Sequence, residues 1–189
     1  MAKPDSFTSS FSVVVDLPAE KLDLAEWIVH FPNDDYISCT PATGAHKQMY
    51  VYRDRDGGWV YRNDESCGGF VMTQLYREEV REKQHVFLVS PRTKGRFLGF
   101  VPMTFQVTWD MKVEPYEGDR SIFTCRIGAR MNPFYMFAAL CIRLTYWTEA
   151  HIEEETPHFA DSAARWATRN DSNQRASYVT PTVDDATND

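Results

Sequence analysis

The chain has 189 residues, 43% of them apolar and 14% aromatic, and a formal net charge of −7. That length fits one domain with tails and can bury a core that leaves room for a cavity. The acidic balance, with no basic stripe, argues against a phosphate-backbone partner, and no apolar run reaches bilayer length. The expectation is therefore a cytoplasmic protein with no nucleic-acid partner and no membrane insertion. The 12 Phe, 9 Tyr and 5 Trp suit a core, and they also suit a pocket for a flat apolar ligand. None of Cys39, Cys67, Cys125 and Cys141 forms a C-x-x-C pair, so they read as free buried thiols rather than zinc thiolates or disulfides.

In chain order, residues 1–10 read as a flexible arm and residues 11–15 as a first strand. Residues 22–31 follow as a short amphipathic helix, with Leu22, Ala25 or Glu26, and Val29 at helical spacing. From Tyr36 the pattern turns to strands. Residues 48–52 and 58–63 flank Asp54-Arg-Asp-Gly-Gly58, a hairpin signal because glycine tolerates positive φ. Residues 69–76 and 85–90 are two more strands, joined by a charged link over 77–83. Residues 105–113 alternate most cleanly, with Phe105, Val107, Trp109, Met111 and Val113 sharing one face. After a turn at Glu117-Gly-Asp119 the last strand covers 121–127. Asn132 then caps a helix with Pro133 at its first position. That helix runs to at least Glu155, is kinked or restarted at Pro157, and reaches about Ala167. The remainder, 170–189, is polar and reads as a disordered acidic tail.

The order predicts an α+β domain over 11–169. About six to seven antiparallel strands form a curved sheet that grips a long C-terminal helix, with an internal cavity between the two. The stripe on that helix runs through Phe137, Leu140 or Cys141, Leu144, Trp147 or Thr148, His151, Glu155 and Phe159. It should pack on the face carrying Trp109. The cavity, expected at roughly 300 Å³ or more, should be lined by Trp109, Tyr76, Phe137 and Trp147.

His151 and Glu155 are four apart and fall where the stripe calls for apolar residues. A buried carboxylate needs a partner, a proton or a metal, so the two fit a pair of metal ligands or an acid/base pair. They equally fit a helix emerging into solvent, with 153–155 a hydrated acidic run. His46 precedes a strand, where a loop can turn its ring into the sheet's mouth. Glu78 and Glu79 end the strand that starts at Gly69, and one of them must face inward because neighbours on a strand alternate. His158 is an alternative ligand. His85 alternates with Phe87 and Val89 as a hydrogen-bonded core histidine, and His30 reads as structural.

This order of elements resembles the START/polyketide-cyclase (helix-grip) superfamily. Within it, Ala25-Glu-Trp27, Asp35-Tyr36 with Pro41 and His46, Glu78-Glu79, and His151-Ile-Glu-Glu-Glu155 are similar to the diacetylphloroglucinol hydrolase family. The chain departs from that family's pattern at Val80-Arg-Glu-Lys83 and at Pro157. The resemblance implies zinc held by His46, Glu79 (or Glu78), His151 and Glu155. It also implies hydrolysis of a carbon–carbon bond beside an aromatic ring, with His151, Glu155 and Tyr36 catalytic. Spacing alone does not choose among Tyr36, Tyr50, Tyr52, Tyr61, Tyr76 and Tyr135 as donors to a phenolic substrate. The other reading is a metal-free helix-grip protein that binds or cyclises an apolar aromatic or polyketide ligand. A homodimer is compatible with either.

Overall fold

A computed structural model describes residues 7–171 other than Gly68 and Ile142. Seven strands form one antiparallel sheet in the order β1-β7-β6-β5-β4-β3-β2. They are β1 (Phe7–Val15), β2 (His46–Arg53), β3 (Trp59–Cys67), β4 (Phe70–Glu82), β5 (His85–Phe97), β6 (Val101–Tyr116) and β7 (Arg120–Arg130). Helices α1 (Leu24–Val29) and α2 (Asn33–Ser38) connect β1 to β2, and α3 (Pro133–Cys141) and α4 (Leu144–Asp171) end the described chain.

The expected α+β helix-grip architecture is what forms. On β6, Phe105, Val107, Trp109, Met111 and Val113 are all buried, and the Trp109 ring lies 5.4 Å from that of Phe159 on α4. The register expected for this strand is therefore the observed one. Asn132 Oδ1 accepts from the Tyr135 amide at 2.8 Å and caps α3. In the β2–β3 hairpin, Asp54 Oδ1 accepts from the amides of Asp56 and Gly58, while Gly57 takes φ +82°, which only glycine adopts without strain.

Four expectations are corrected. The arm assigned to residues 1–10 gives way at Phe7, because 7–10 already pair with β7; residues 1–6 lie outside the described residues. Residues 36–38 end a helix rather than starting a strand. Asp34 and Asp35 sit in the first turn of α2, where carboxylates favour the helix dipole. Of the charged link at 77–83, all but Lys83 is strand: β4 runs unbroken to Glu82, with a register shift beside Glu78. At the other end, α4 continues to Asp171, so only 172–189 of the expected tail fall outside the described residues.

The fifth correction bears on the site. The expected single helix is two, broken at Arg143, whose φ is +55°. The break resets the helical phase, so the stripe drawn through it does not hold. Phe137 is 68% exposed and Trp147 44% exposed, and neither lines the cavity. On α4 the buried face runs through Leu144, Thr148, His151, Ile152, Glu155, Thr156 and Phe159, a spacing with period near 3.6. Pro157 stays inside this helix. The carbonyl it leaves without a helical donor belongs to Glu153, an exposed residue that water can reach.

Candidate metal and ligand site

The acidic run on α4 divides into three environments. Glu153 is exposed. Glu154 reaches the loop before β2, accepting from the amides of Ala42 and Thr43 and from the Thr43 hydroxyl. Glu155 is 2% exposed and faces the interior. The Glu154 contacts tie the 40–45 loop to the helix. Within that loop the Thr40 hydroxyl accepts from the His46 amide at 3.0 Å, and Ala45 carbonyl accepts from Ser66 amide at 2.8 Å. His46 is thereby carried from a loop at the sheet edge into contact with α4.

His46 is held on two sides by Tyr36. The two rings stack at 3.9 Å and 5°. Nδ1 of His46 donates to the Tyr36 carbonyl at 2.7 Å; a carbonyl only accepts, so this nitrogen carries the proton. In the neutral ring Nε2 is then a bare lone pair. It lies 3.0 Å from Glu155 Oε2, and His151 Nε2 lies 3.2 Å from the same oxygen. Ligand atoms of the three residues fall within 4.8 Å of one another. The contacts lack the alignment of hydrogen bonds: His46 Nε2, His151 Nδ1 and His151 Nε2 are buried without a hydrogen-bond partner among the described residues.

Burial and charge oppose each other here. Burial acts to raise the Glu155 carboxyl, but the charge of His151 beside it, and then His46, outweigh it and hold the group at about 2. Burial acts to lower His151, yet Glu155, with Glu65 and Glu154 behind it, lifts it to about 9. Cys125 lies under the carboxylate, its Sγ 3.7 Å from Glu155 Oε1. Burial, then Glu155, push that thiol well above its ordinary range, so it stays protonated.

The strand glutamates are not where they were expected. Glu79 is exposed on the outer face with Val71 and Leu75. Glu78 lies on the inner phase of β4 but accepts from Tyr61 at 2.5 Å and from Arg81 at 2.8 Å, and it is absent from the cluster. Neither joins the two histidines. Sequence reasoning missed Glu65 on β3, which is 9% exposed, lies opposite His46 across β2 and β3, and lines the cavity. It accepts from the Tyr36 hydroxyl at 2.5 Å. Ending the strand at Asn63 hid it, whereas alternation from Tyr61 through Asn63 points Glu65 inward. Burial, then Glu65, raise the Tyr36 phenol well above its usual value.

Of the other expected residues, Trp109 and Tyr76 line the cavity. His158 is exposed, which removes it as an alternative ligand. His85 is half-buried and pairs with Asp110 at 2.8 Å. Tyr50 is exposed, at 36%. The cavity is largely apolar, its polar lining coming from Tyr36, Glu65, Gln74, Tyr76, Thr148, His151 and Glu155. Its volume is about 50 Å³, room for a few waters and well below the expected ligand-sized space. The four cysteines are free. Among the described residues, no helix is long and apolar enough to cross a membrane.

No protein-family model and no curated protein matches the chain. Solved structures match its fold. A point mutant of norcoclaurine synthase from Thalictrum flavum, in complex with a transition-state analogue, aligns with TM-score 0.50 and 12% identity over 90% of this chain and 99% of that one. The Zhui aromatase/cyclase from Streptomyces sp. R1128 aligns with TM-score 0.47 and 13% identity over 87% and 94%. A START superfamily protein from Mycobacterium smegmatis aligns with TM-score 0.44 and 15% identity over 86% and 98%. At such identities the likeness is one of fold alone, carried by the norcoclaurine synthase alignment, and the chemistry of this chain has to be argued from its own residues.

Proposed function

We propose that the cavity takes a small apolar aromatic ligand and that His46, His151 and Glu155 are its reactive centre, holding a divalent metal such as zinc. One observation carries the reading. Two buried histidine nitrogens without hydrogen-bond partners among the described residues converge on one Glu155 oxygen, at 3.0 and 3.2 Å. Ligands about 2.0–2.1 Å from a tetrahedral zinc lie roughly 3.3 Å apart. The His46 Nδ1–H bond to a carbonyl is the outer contact that orients a metal-binding imidazole. Two neutral imidazoles and a carboxylate suit zinc, iron or manganese. Three protein donors, rather than the four expected, is the number found in catalytic zinc sites, which keep one position for water or substrate.

A bound metal would supply Lewis acidity toward a ketone oxygen and activate water, in keeping with hydrolysis or lysis of a carbon–carbon bond next to an aromatic ring. The chain's own residues hold and shield that centre. Tyr36 orients His46, Cys125 and Trp109 back the carboxylate, and the apolar wall excludes bulk water. A single-ring ligand needs more room than about 50 Å³, so its entry requires the cavity to widen.

The metal-free alternative, binding or cyclising an apolar ligand, is favoured by one feature. His151 is held to about 9, so a proton on it can neutralise Glu155 without a metal. Elemental analysis of the purified protein, followed by zinc titration after chelation, separates the two. The metal reading expects one equivalent of zinc per chain, lost in His151→Ala and His46→Ala. Zinc binding no tighter in the parent than in those variants refutes it and leaves the ligand-binding reading.

A further inference from the structure

We infer that Gln74 and Glu65 form a second polar subsite on the sheet wall of the cavity, which takes a hydrogen-bond donor, O–H or N–H, carried by a flat apolar ligand. The inference rests on the cavity being the ligand site, as proposed above, and not on a metal.

Gln74 is on β4 between Met72 and Tyr76. It is 3% exposed and lines the cavity. Its Nε2 donates to Glu65 Oε2 at 3.2 Å. Turning the amide over would set its oxygen against a carboxylate oxygen, so Glu65 decides which way the amide points. The atom left over is Oε1, an acceptor buried with no hydrogen-bond partner among the described residues. Glu65 has spare capacity as well. A carboxylate offers about four lone-pair sites, and here Tyr36 and Gln74 occupy one each.

Two of the neighbouring donors are committed. The Tyr36 hydroxyl goes to Glu65 and the Trp109 indole N–H to Cys125 Sγ at 3.2 Å. With those two committed, Gln74 Oε1 and Glu65 offer acceptors on this part of the wall, beside the apolar surfaces of Phe105, Val107 and Trp109. Water can satisfy Gln74 Oε1 in an empty cavity. A ligand that expels the water must bring a donor of its own or leave the acceptor buried and unpaired. The pair thus selects for an apolar ring bearing a hydroxyl or amine and against the same ring with that group capped.

The test uses phenol and anisole, single-ring probes that differ by one methyl on the oxygen and so by one donor. Each is titrated into the full-length protein and followed by tryptophan fluorescence and by chemical-shift changes. Phenol should bind at least about tenfold more tightly than anisole. Gln74→Leu should abolish the preference while leaving anisole affinity within about twofold. If that variant does not fold, Gln74→Met takes its place. Equal affinity for the two probes in the parent protein, or a preference that survives loss of Gln74, overturns the subsite alone. Failure of both probes to bind overturns it together with the ligand reading of the cavity. Zinc stoichiometry is independent of either result.

Discussion

Replacing Glu155 by Gln in the metal-free protein removes the charge that ties α4 to His46 and His151 while keeping the side chain's shape. The magnitude follows from the shift of the carboxyl from 4.5 to about 2, which at about 1.4 kcal/mol per pH unit is about 3 kcal/mol. The rise of His151 from 6.5 to about 9 describes the same ion pair and is not added. The two limbs have opposite signs. A depressed carboxyl contributes stability that is full above 4.5 and fades as pH falls toward 2. A raised imidazole contributes stability that is full below 6.5 and is lost as pH rises through 9. The pair is thus worth most between about pH 4.5 and 6.5. Urea unfolding, read by tryptophan fluorescence in EDTA, should show Glu155→Gln less stable than the parent by about 3 kcal/mol near pH 5.5. The gap should narrow to under about 1 kcal/mol near pH 10, where His151 is neutral. A gap of the same size at both pH values would refute the reasoning, as would parent stability that rises relative to the variant above pH 7.

Two further outcomes test the packing. Phe159 is fully buried and meets Trp27, Phe31, His46 and Trp109, so Phe159→Ala should cost about 3–5 kcal/mol in chemical denaturation and weaken any metal or ligand binding through His46. A cost below about 1 kcal/mol would place the helix stripe elsewhere. Phe137→Ser should change stability by less than about 0.5 kcal/mol, because the ring is exposed; a loss of several kcal/mol would mean that the side chain is covered in solution.

Much of the architecture is local information. The period-2 run from Phe105 to Val113, the Asp54–Gly58 and Glu117–Asp119 turns, and the Asn132-Pro133 cap each mark an element through nearest-neighbour chemistry. Together they determine a curved antiparallel sheet gripping a final helix. His151 and Glu155 were legible for the same reason, since two polar residues four apart on an apolar stripe signal themselves wherever the helix lies.

What only tertiary structure decided is what depends on chain segments meeting. The phase of the last helix was lost at Arg143, because a positive φ there turns the chain, and periodicity drawn across the break assigned Phe137 and Trp147 to an interior they do not reach. The strand glutamates could not be placed from β4 itself, whose two faces both mix apolar and polar residues; in the folded sheet Glu79 falls in a register shift and is exposed, while Glu78 goes to Tyr61 and Arg81. Glu65 faces inward because β3 extends through Cys67 between β2 and β4, although Asn-Asp-Glu-Ser by itself favours a turn. The meeting of His46 with Glu155 depends on Glu154 anchoring a loop 111–112 residues earlier in the chain. Local propensity carries no record of such a contact, because its free energy exists only once the sheet has brought the loop and the helix together.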